Sequence, residues 1–231
     1  MLGKLAENNG IKLFIPFSIE TPEIYTNRNI FQVYQNTNDF NELSIQRFLE
    51  RFKGYHTVVV DCNDTTSRKG IFTFGLRRRL ENMSRTYSIT NLNSSETQFA
   101  KAFSTTMPNV VILNTGRSPQ LNVVFAKLNG LVTVRPDLKI SMFGYTEWLM
   151  YTKYALDNFY KFDVYIPSAF FYNPLTSRTR RFETKYRWNF HQDMMQSLPR
   201  FAITGFDHAC WLLQGLHMYL SLIHISEPTR P

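Results

Sequence analysis

Residues 109–148, NVVILNTGRSPQLNVVFAKLNGLVTVRPDLKISMFGYTEW, read as strand, turn, helix, strand. The run 110–113 is aliphatic and mostly β-branched, the pattern of a strand buried on both faces in a parallel sheet. Asn114, Thr115, Gly116 and Arg117 break it with turn chemistry. Ser118 is placed to cap a helix and Pro119 to occupy its first position, where a missing N–H costs nothing. Leu121, Val124, Phe125 and Leu128 recur at i, i+3, i+4 and i+7 and make one apolar helix face. Gly130 is expected just past that helix, and residues 138–143 as the next strand. A right-handed crossover makes the two strands parallel. Polar and aromatic residues collect after both strand ends: Asn114, Thr115 and Arg117 after the first, Tyr145, Glu147 and Trp148 after the second. Ligands of open α/β sheets bind outside the carboxyl ends of the strands, which makes these residues candidates for a site.

The same alternation extends in both directions. Residues 56–61, HTVVVD, predict a buried strand, followed by a polar loop over 62–67 and a helix over 68–82. A short strand is expected at 87–90, then a helix capped by Ser94 or Ser95 and carrying Phe99, Ala102 and Phe103. Ahead of these, Asn41 is placed to cap a helix whose face is Ile45, Phe48, Leu49 and Phe52, with Gly54 ending it. Residues 11–17 and 30–34 predict two further strands, with a short helical turn starting at Pro22. Beyond Trp148 the pattern predicts an aromatic helix to about 160, a strand at 163–168 and a helix from Pro174 to about Trp188. Residues 201–205 read as a short bridge into a last helix with the face Phe206, Ala209, Cys210 and Leu213. The class is therefore α/β. A complete, doubly wound parallel-sheet lobe is expected over 38–163, and residues 1–37 and 164–219 are expected to supply part of a second α/β lobe.

The 231 residues are 43% hydrophobic, enough to bury a sizeable core, and the 19% charged fraction argues against a mostly disordered chain. The net charge of +8 suits an acidic partner such as nucleic acid or anionic lipid, but is more often simply what a solvated surface carries. The basic clusters, Arg77 to Arg79 and Arg178, Arg180, Arg181, Lys185 and Arg187, fall in expected helices, where each reads as an exposed face. Cys62 and Cys210 make neither a disulfide framework nor a metal site and are expected to be buried thiols. No apolar run approaches a membrane span. Residues 220–231, LSLIHISEPTRP, resemble a translated sequencing adapter. They are expected to be an artefact on a fragment of a longer protein.

The chain carries no G-x-x-x-x-G-K-[ST], no G-x-G-x-x-G after a strand, no H-E-x-x-H, no C-x-x-C and no G-x-S-x-G. Asp61 and Asp64 follow a strand, but no third acidic residue lies nearby in sequence to complete a metal site. His208, at a helix start, reads as a structural histidine. Neither a helix-turn-helix nor an aromatic-basic strand pattern is present, so nucleic acid is not an expected partner. Catalysis is not expected either, because no acid/base or nucleophilic constellation is visible.

IPFS, VVVDCND, VVILNTGRSPQLN, ISMFGYTEW, DVYIPSAFFYNP and FAITGFDHACWLLQGLH together resemble a type 1 periplasmic binding protein. More narrowly, they resemble the version carried by Bacteroidetes envelope proteins with peptidoglycan-binding LysM modules. The resemblance covers nearly all of the chain ahead of the adapter-like tail. It implies two α/β lobes closing on a small polar ligand, such as an amino acid, peptide or muropeptide. It implies no cofactor and a periplasmic or cell-envelope location, with peptidoglycan reached through a further domain. Matched onto this sequence, it implies ligand contacts from Ser18 and Thr21 in one lobe, and from Asp64, Thr115, Arg117, Tyr145 and Trp148 in the other. The alternative expectation is a structural or interaction module that has lost its ligand.

Overall fold

In a computed structural model, residues 2–16, 22–33, 36–170, 172–198 and 200–223 are described. The chain divides into two units, one made of residues 1–36 and 170–231 and the other of Thr37–Ala169. In chain order the first contributes α1 (Leu2–Asn8), β1 (Leu13–Ile15), a 3-10 turn at Pro22–Tyr25 and β2 (Ile30–Gln32). The second contains α2 (Thr37–Arg51), β3 (His56–Asp61), α3 (Lys69–Asn82), β4 (Tyr87–Asn91) and α4 (Glu96–Ala100). It continues with β5 (Asn109–Leu113), α5 (Ser118–Val134), β6 (Ile140–Phe143), α6 (Thr152–Lys161) and β7 (Val164–Tyr165). The chain then returns to the first unit with α7 (Ser177–Phe190) and α8 (Phe201–Ile223).

The second unit is an α/β lobe with a five-stranded parallel sheet in the order β4-β3-β5-β6-β7. From β3 the chain moves one way to β4, and from β5 it moves the other way to β6 and β7. Right-handed crossovers therefore put α3 on one face and α4, α5 and α6 on the other. The ring contacts agree. Phe143 of β6 stacks on Phe72 of α3 at 6.1 Å and meets Phe48 of α2 and Phe52, just past its end, edge-on at 5.2 and 6.3 Å. On the opposite face, Phe125 of α5 packs on Phe159 and Phe162 at 5.6 and 6.0 Å. Covered on both sides, Val58, Val60 and Val110 to Leu113 have no exposed surface.

Several element boundaries differ from the sequence expectation. Helix α2 begins at Thr37, a turn before Asn41, with Asp39 in the first turn where the helix dipole favours an acid. Helix α5 begins at Ser118 and runs through Gly130 to Val134. Leu131 extends its buried face by one more turn, and that burial outweighs a glycine cost of about 1 kcal/mol. Strand β6 starts at Ile140 rather than 138, and β7 is cut to Val164–Tyr165. Pro167, lacking an N–H, cannot extend the β7 ladder. Residues 201–205 are the first turns of α8 rather than a bridge, with Thr204 N donating to Arg200 O at 2.9 Å. Cys62 is buried as expected, but Cys210 is only partly so.

The first unit pairs β1 with β2 in parallel, Leu13 opposite Ile30. Asn27, mostly buried, donates to Gly3 O at 3.1 Å and so fixes α1 to the turn before β2. Phe182 of α7 packs on Phe206 of α8 at 4.9 Å. No helix among the described residues is long and apolar enough to cross a membrane.

Phe143 joins α2 and α3 to the sheet, so Phe143→Ala should remove about 3–5 kcal/mol of stability. Urea unfolding followed by circular dichroism measures this. A loss below about 1 kcal/mol would show that the aromatic cluster does not carry the lobe.

Candidate functional site

The two crossovers diverge between β3 and β5, and the loops leaving these strands hold most of the polar candidates. Asn114, just after β5, ties the two strand ends together. Its Nδ2 donates to Asp61 Oδ1 at 2.8 Å and its Oδ1 accepts from Cys62 N at 2.8 Å. Asn63 sits at φ 53, a left-handed conformation that asparagine tolerates. It exchanges amide hydrogen bonds of 3.1 and 2.9 Å with Asn91 at the end of β4.

Asp64 organises the β3–α3 loop. Its Oδ1 accepts from Thr66 N at 2.9 Å, Thr66 Oγ1 at 2.6 Å and Ser67 N at 3.2 Å. Its Oδ2 accepts from Thr115 Oγ1 at 2.6 Å, joining the loops after β3 and β5. The Thr115 and Thr66 hydroxyls, followed by the backbone donors, hold the Asp64 carboxyl down at about 2. Thr115 is fully buried, and its hydroxyl also accepts from Arg117 N at 3.2 Å. Arg117 is the N-cap residue of α5, and its side chain is exposed.

Tyr145 and Trp148 lie inside the lobe. The Tyr145 hydroxyl donates to Leu113 O at the end of β5. Burial, then the charge of Glu147, push this phenol well above its ordinary value, so it stays a neutral donor. Trp148 is fully buried, edge-on to Tyr145 at 6.0 Å and to Phe159 at 6.4 Å. Its six-membered ring lies so close to Gly144 that a Cβ there would fall 2.2 Å from Cε3. Glycine is thus required by the indole's approach. Trp148 Nε1 and Glu147 Oε2 are buried atoms with no hydrogen-bond partner among the described residues.

Lys69 is a functional candidate that sequence reasoning missed. As the first residue of α3 it carries no motif, only its position after a strand-end loop. Its Nζ pairs with Glu147 Oε1 at 2.7 Å and lies 4.7 Å from the centre of the Tyr145 ring. A Cβ on Gly116 would meet Lys69 Cε at 3.5 Å and Glu147 Cδ at 3.6 Å, which places the ion pair against the turn after β5. The structure therefore brings Asp64, Thr115, Tyr145, Lys69 and Glu147 into one connected patch. Arg117 is bonded to it through the backbone, and Trp148 supports it from below. Ser18 and Thr21 lie outside the described residues.

Among the described residues no group of three or more His, Cys, Asp or Glu is placed to hold a metal ion. Cys62 is pushed up to about 12, by burial first and then by Asp61 and Asp64, and so remains a thiol. An open groove of about 810 Å³ lies elsewhere in the lobe, between α2 and α3, lined by Leu43, Leu49 and Met83 under Glu42 and Arg79. It includes none of the strand-end residues. No family model, curated protein or solved structure matches the chain.

The depressed Asp64 value gives a signed prediction. Its stabilising effect is complete above the ordinary carboxyl value of 3.8 and is lost as pH falls through about 2. Asp64→Asn should therefore melt below the unsubstituted chain at neutral pH, and the gap should close in acid. Thermal melts of both chains across that range check it, and a gap independent of pH would refute it. Cys62 should resist a disulfide-exchange reagent in the folded chain and react once denaturant exposes it, as mass mapping of labelled peptides reads directly.

Proposed function

We propose that this chain is a non-catalytic domain of a bacterial cell-envelope protein that binds a small polar ligand at the carboxyl edge of the β3–β5–β6 strands. The observation that carries the reading is the chemistry collected there. An exposed Arg117 and the Lys69–Glu147 pair surround a pre-bonded Asp64–Thr115 frame. Glu147 Oε2, on the side chain paired with Lys69, lacks a hydrogen-bond partner among the described residues, and such an atom gains from a polar ligand. Position at the switch point of a doubly wound sheet supports the same reading.

Ligand binding fits better than acid/base chemistry. A general acid or base works best with its pKa near the operating pH. Here Asp64 is held at about 2, Cys62 at about 12 and Tyr145 well above its ordinary value, each locked in one protonation state. The ligand class is an amino acid, peptide or muropeptide. Attachment to peptidoglycan through a LysM module, in a Bacteroidetes envelope, belongs to the same proposal and rests on the sequence resemblance.

A second reading, an interaction module without a small ligand, is favoured by the burial of Thr115, Tyr145 and Trp148. One experiment separates them. A thermal-shift screen of amino acids, short peptides and muropeptides at millimolar concentration should give a stabilising ligand. Calorimetry with Arg117→Ala should then show about tenfold weaker binding, roughly 1.4 kcal/mol. No stabilising compound would favour the interaction module, and a hit whose affinity ignores Arg117 would put the ligand away from the strand-end patch.

A further inference from the structure

Helix α7 (Ser177–Phe190) has no buried residue. Its half-buried side is Thr179, Phe182, Glu183 and Tyr186, at i, i+3, i+4 and i+7. Phe182 packs on Phe206, and the lone acid of the helix, Glu183, accepts from the Tyr172 hydroxyl. At 100° per residue the solvent side is then fixed. Arg181 and Trp188 lie along its crest, with Arg178 and Lys185 on one flank and Arg180 and Arg187 on the other. All six are exposed.

This face differs from an ordinary solvated one. Solvated helices alternate signs at i, i+3 and i, i+4, which stabilises them. Here Arg178, Arg181 and Lys185 follow one another at those spacings with like charge, a pattern that weakens an isolated helix. Arg187 pairs with Asp193 at 2.7 Å, whereas Arg178, Arg180, Arg181 and Lys185 have no acidic partner among the described residues. Exposed apolar groups accompany the cations. Trp188, 81% exposed, stands on the crest among the cations, with Leu175 at 75% ahead of the helix and Met195 at 70% beyond it, whereas Phe190 lies on the opposite side against Tyr186 at 4.6 Å.

We propose that the outer face of α7 is a docking surface for an anionic membrane, lying in the plane of the lipid headgroups. Charge complementarity selects an anionic partner, and the apolar groups select a lipid surface over a nucleic acid. Phosphodiester backbones use the cations but leave Trp188 and Leu175 in water. A headgroup layer takes both: cations meet lipid phosphates, and the Trp188 indole sits at the boundary with the acyl chains. The association is peripheral, since no described helix can span a bilayer. It is independent of the strand-end patch.

The test uses the full chain with vesicles of phosphatidylcholine alone or with one third phosphatidylglycerol, read by co-sedimentation and tryptophan emission. Binding should require the anionic lipid, shift the emission to the blue and fall at high salt. The triple variant R178Q/R181Q/K185Q should bind about a hundredfold more weakly, and Lys185→Gln alone about fivefold more weakly, each basic residue being worth roughly fivefold at an anionic surface. Trp188→Ser should lose most of the emission shift. These positions are exposed, so circular dichroism of the variants should match the unsubstituted chain. Equal binding to neutral vesicles, unchanged binding by the triple variant, or tighter binding to duplex DNA at the same salt would overturn the proposal.

Discussion

The second unit depends on a single constraint: β3 and β5 are too apolar to present either face to water. Val58, Val60 and the whole of β5 from Val110 to Leu113 are without exposed surface. A parallel sheet with such strands at its centre must be covered on both sides. Right-handed crossovers meet that demand only if the chain leaves β3 in one direction and β5 in the other. A crevice of diverging loops then has to open where the directions part. The location of the polar patch thus follows from the hydrophobicity of strands that contain none of its residues.

That chain of reasoning explains what was legible in the sequence. The β3 and β5 runs, the buried stripe of α5 and the α2 stripe Ile45, Phe48 and Phe52 are strong periodic signals, and each became an element of the sheet or of a layer on it. Boundaries were less legible because tertiary contacts settle them. Leu131 draws α5 past a glycine that locally reads as a stop, and one proline reduces β7 to Val164–Tyr165. Residues after the strands were also legible as a group. The direction of each side chain was not. Tyr145 and Trp148 follow β6 and read as a lining, but each has more apolar area to bury than polar reach to offer. The tyrosine hydroxyl satisfies a strand-end carbonyl, and the indole fills the space over Gly144. Lys69 was invisible for the converse reason: a lysine opening a helix has no distinguishing pattern until the fold brings Glu147 to it.

Within the patch, rigidity and accessibility fall on different residues. Asp64 spends its acceptors on Thr66, Ser67 and Thr115, and Asn114 spends its amide on Asp61 and Cys62. These groups define loop shape and have little bonding capacity left for a ligand. Arg117 and the Lys69–Glu147 pair retain it. The pair is half-buried rather than sequestered, so water still screens it and rearranging it around a ligand costs less than breaking a buried pair. A frame that is saturated and a rim that is not is the division of labour expected of preorganised recognition, where ordering costs are met on folding rather than on binding.

The first unit shows that exposure has to be read through chemistry. Helices α7 and α8 both present much of their length to water. On α8 the exposed groups include Trp211 at 58%, Leu213 at 63% and Leu216 at 42%, an apolar surface whose hydration is unfavourable. On α7 they are mostly guanidinium and ammonium groups, whose hydration is favourable and whose mutual repulsion is the unfavourable term. The two faces therefore differ in what relieves them. Apolar contact relieves α8 and is indifferent to salt, whereas only negative charge relieves α7, and salt screens the repulsion there. A surface that satisfied α8 would leave the α7 cations desolvated and uncompensated, which is far costlier than leaving them in water. A purely apolar partner therefore suits α8 but not α7, although the two helices pack on each other through Phe182 and Phe206.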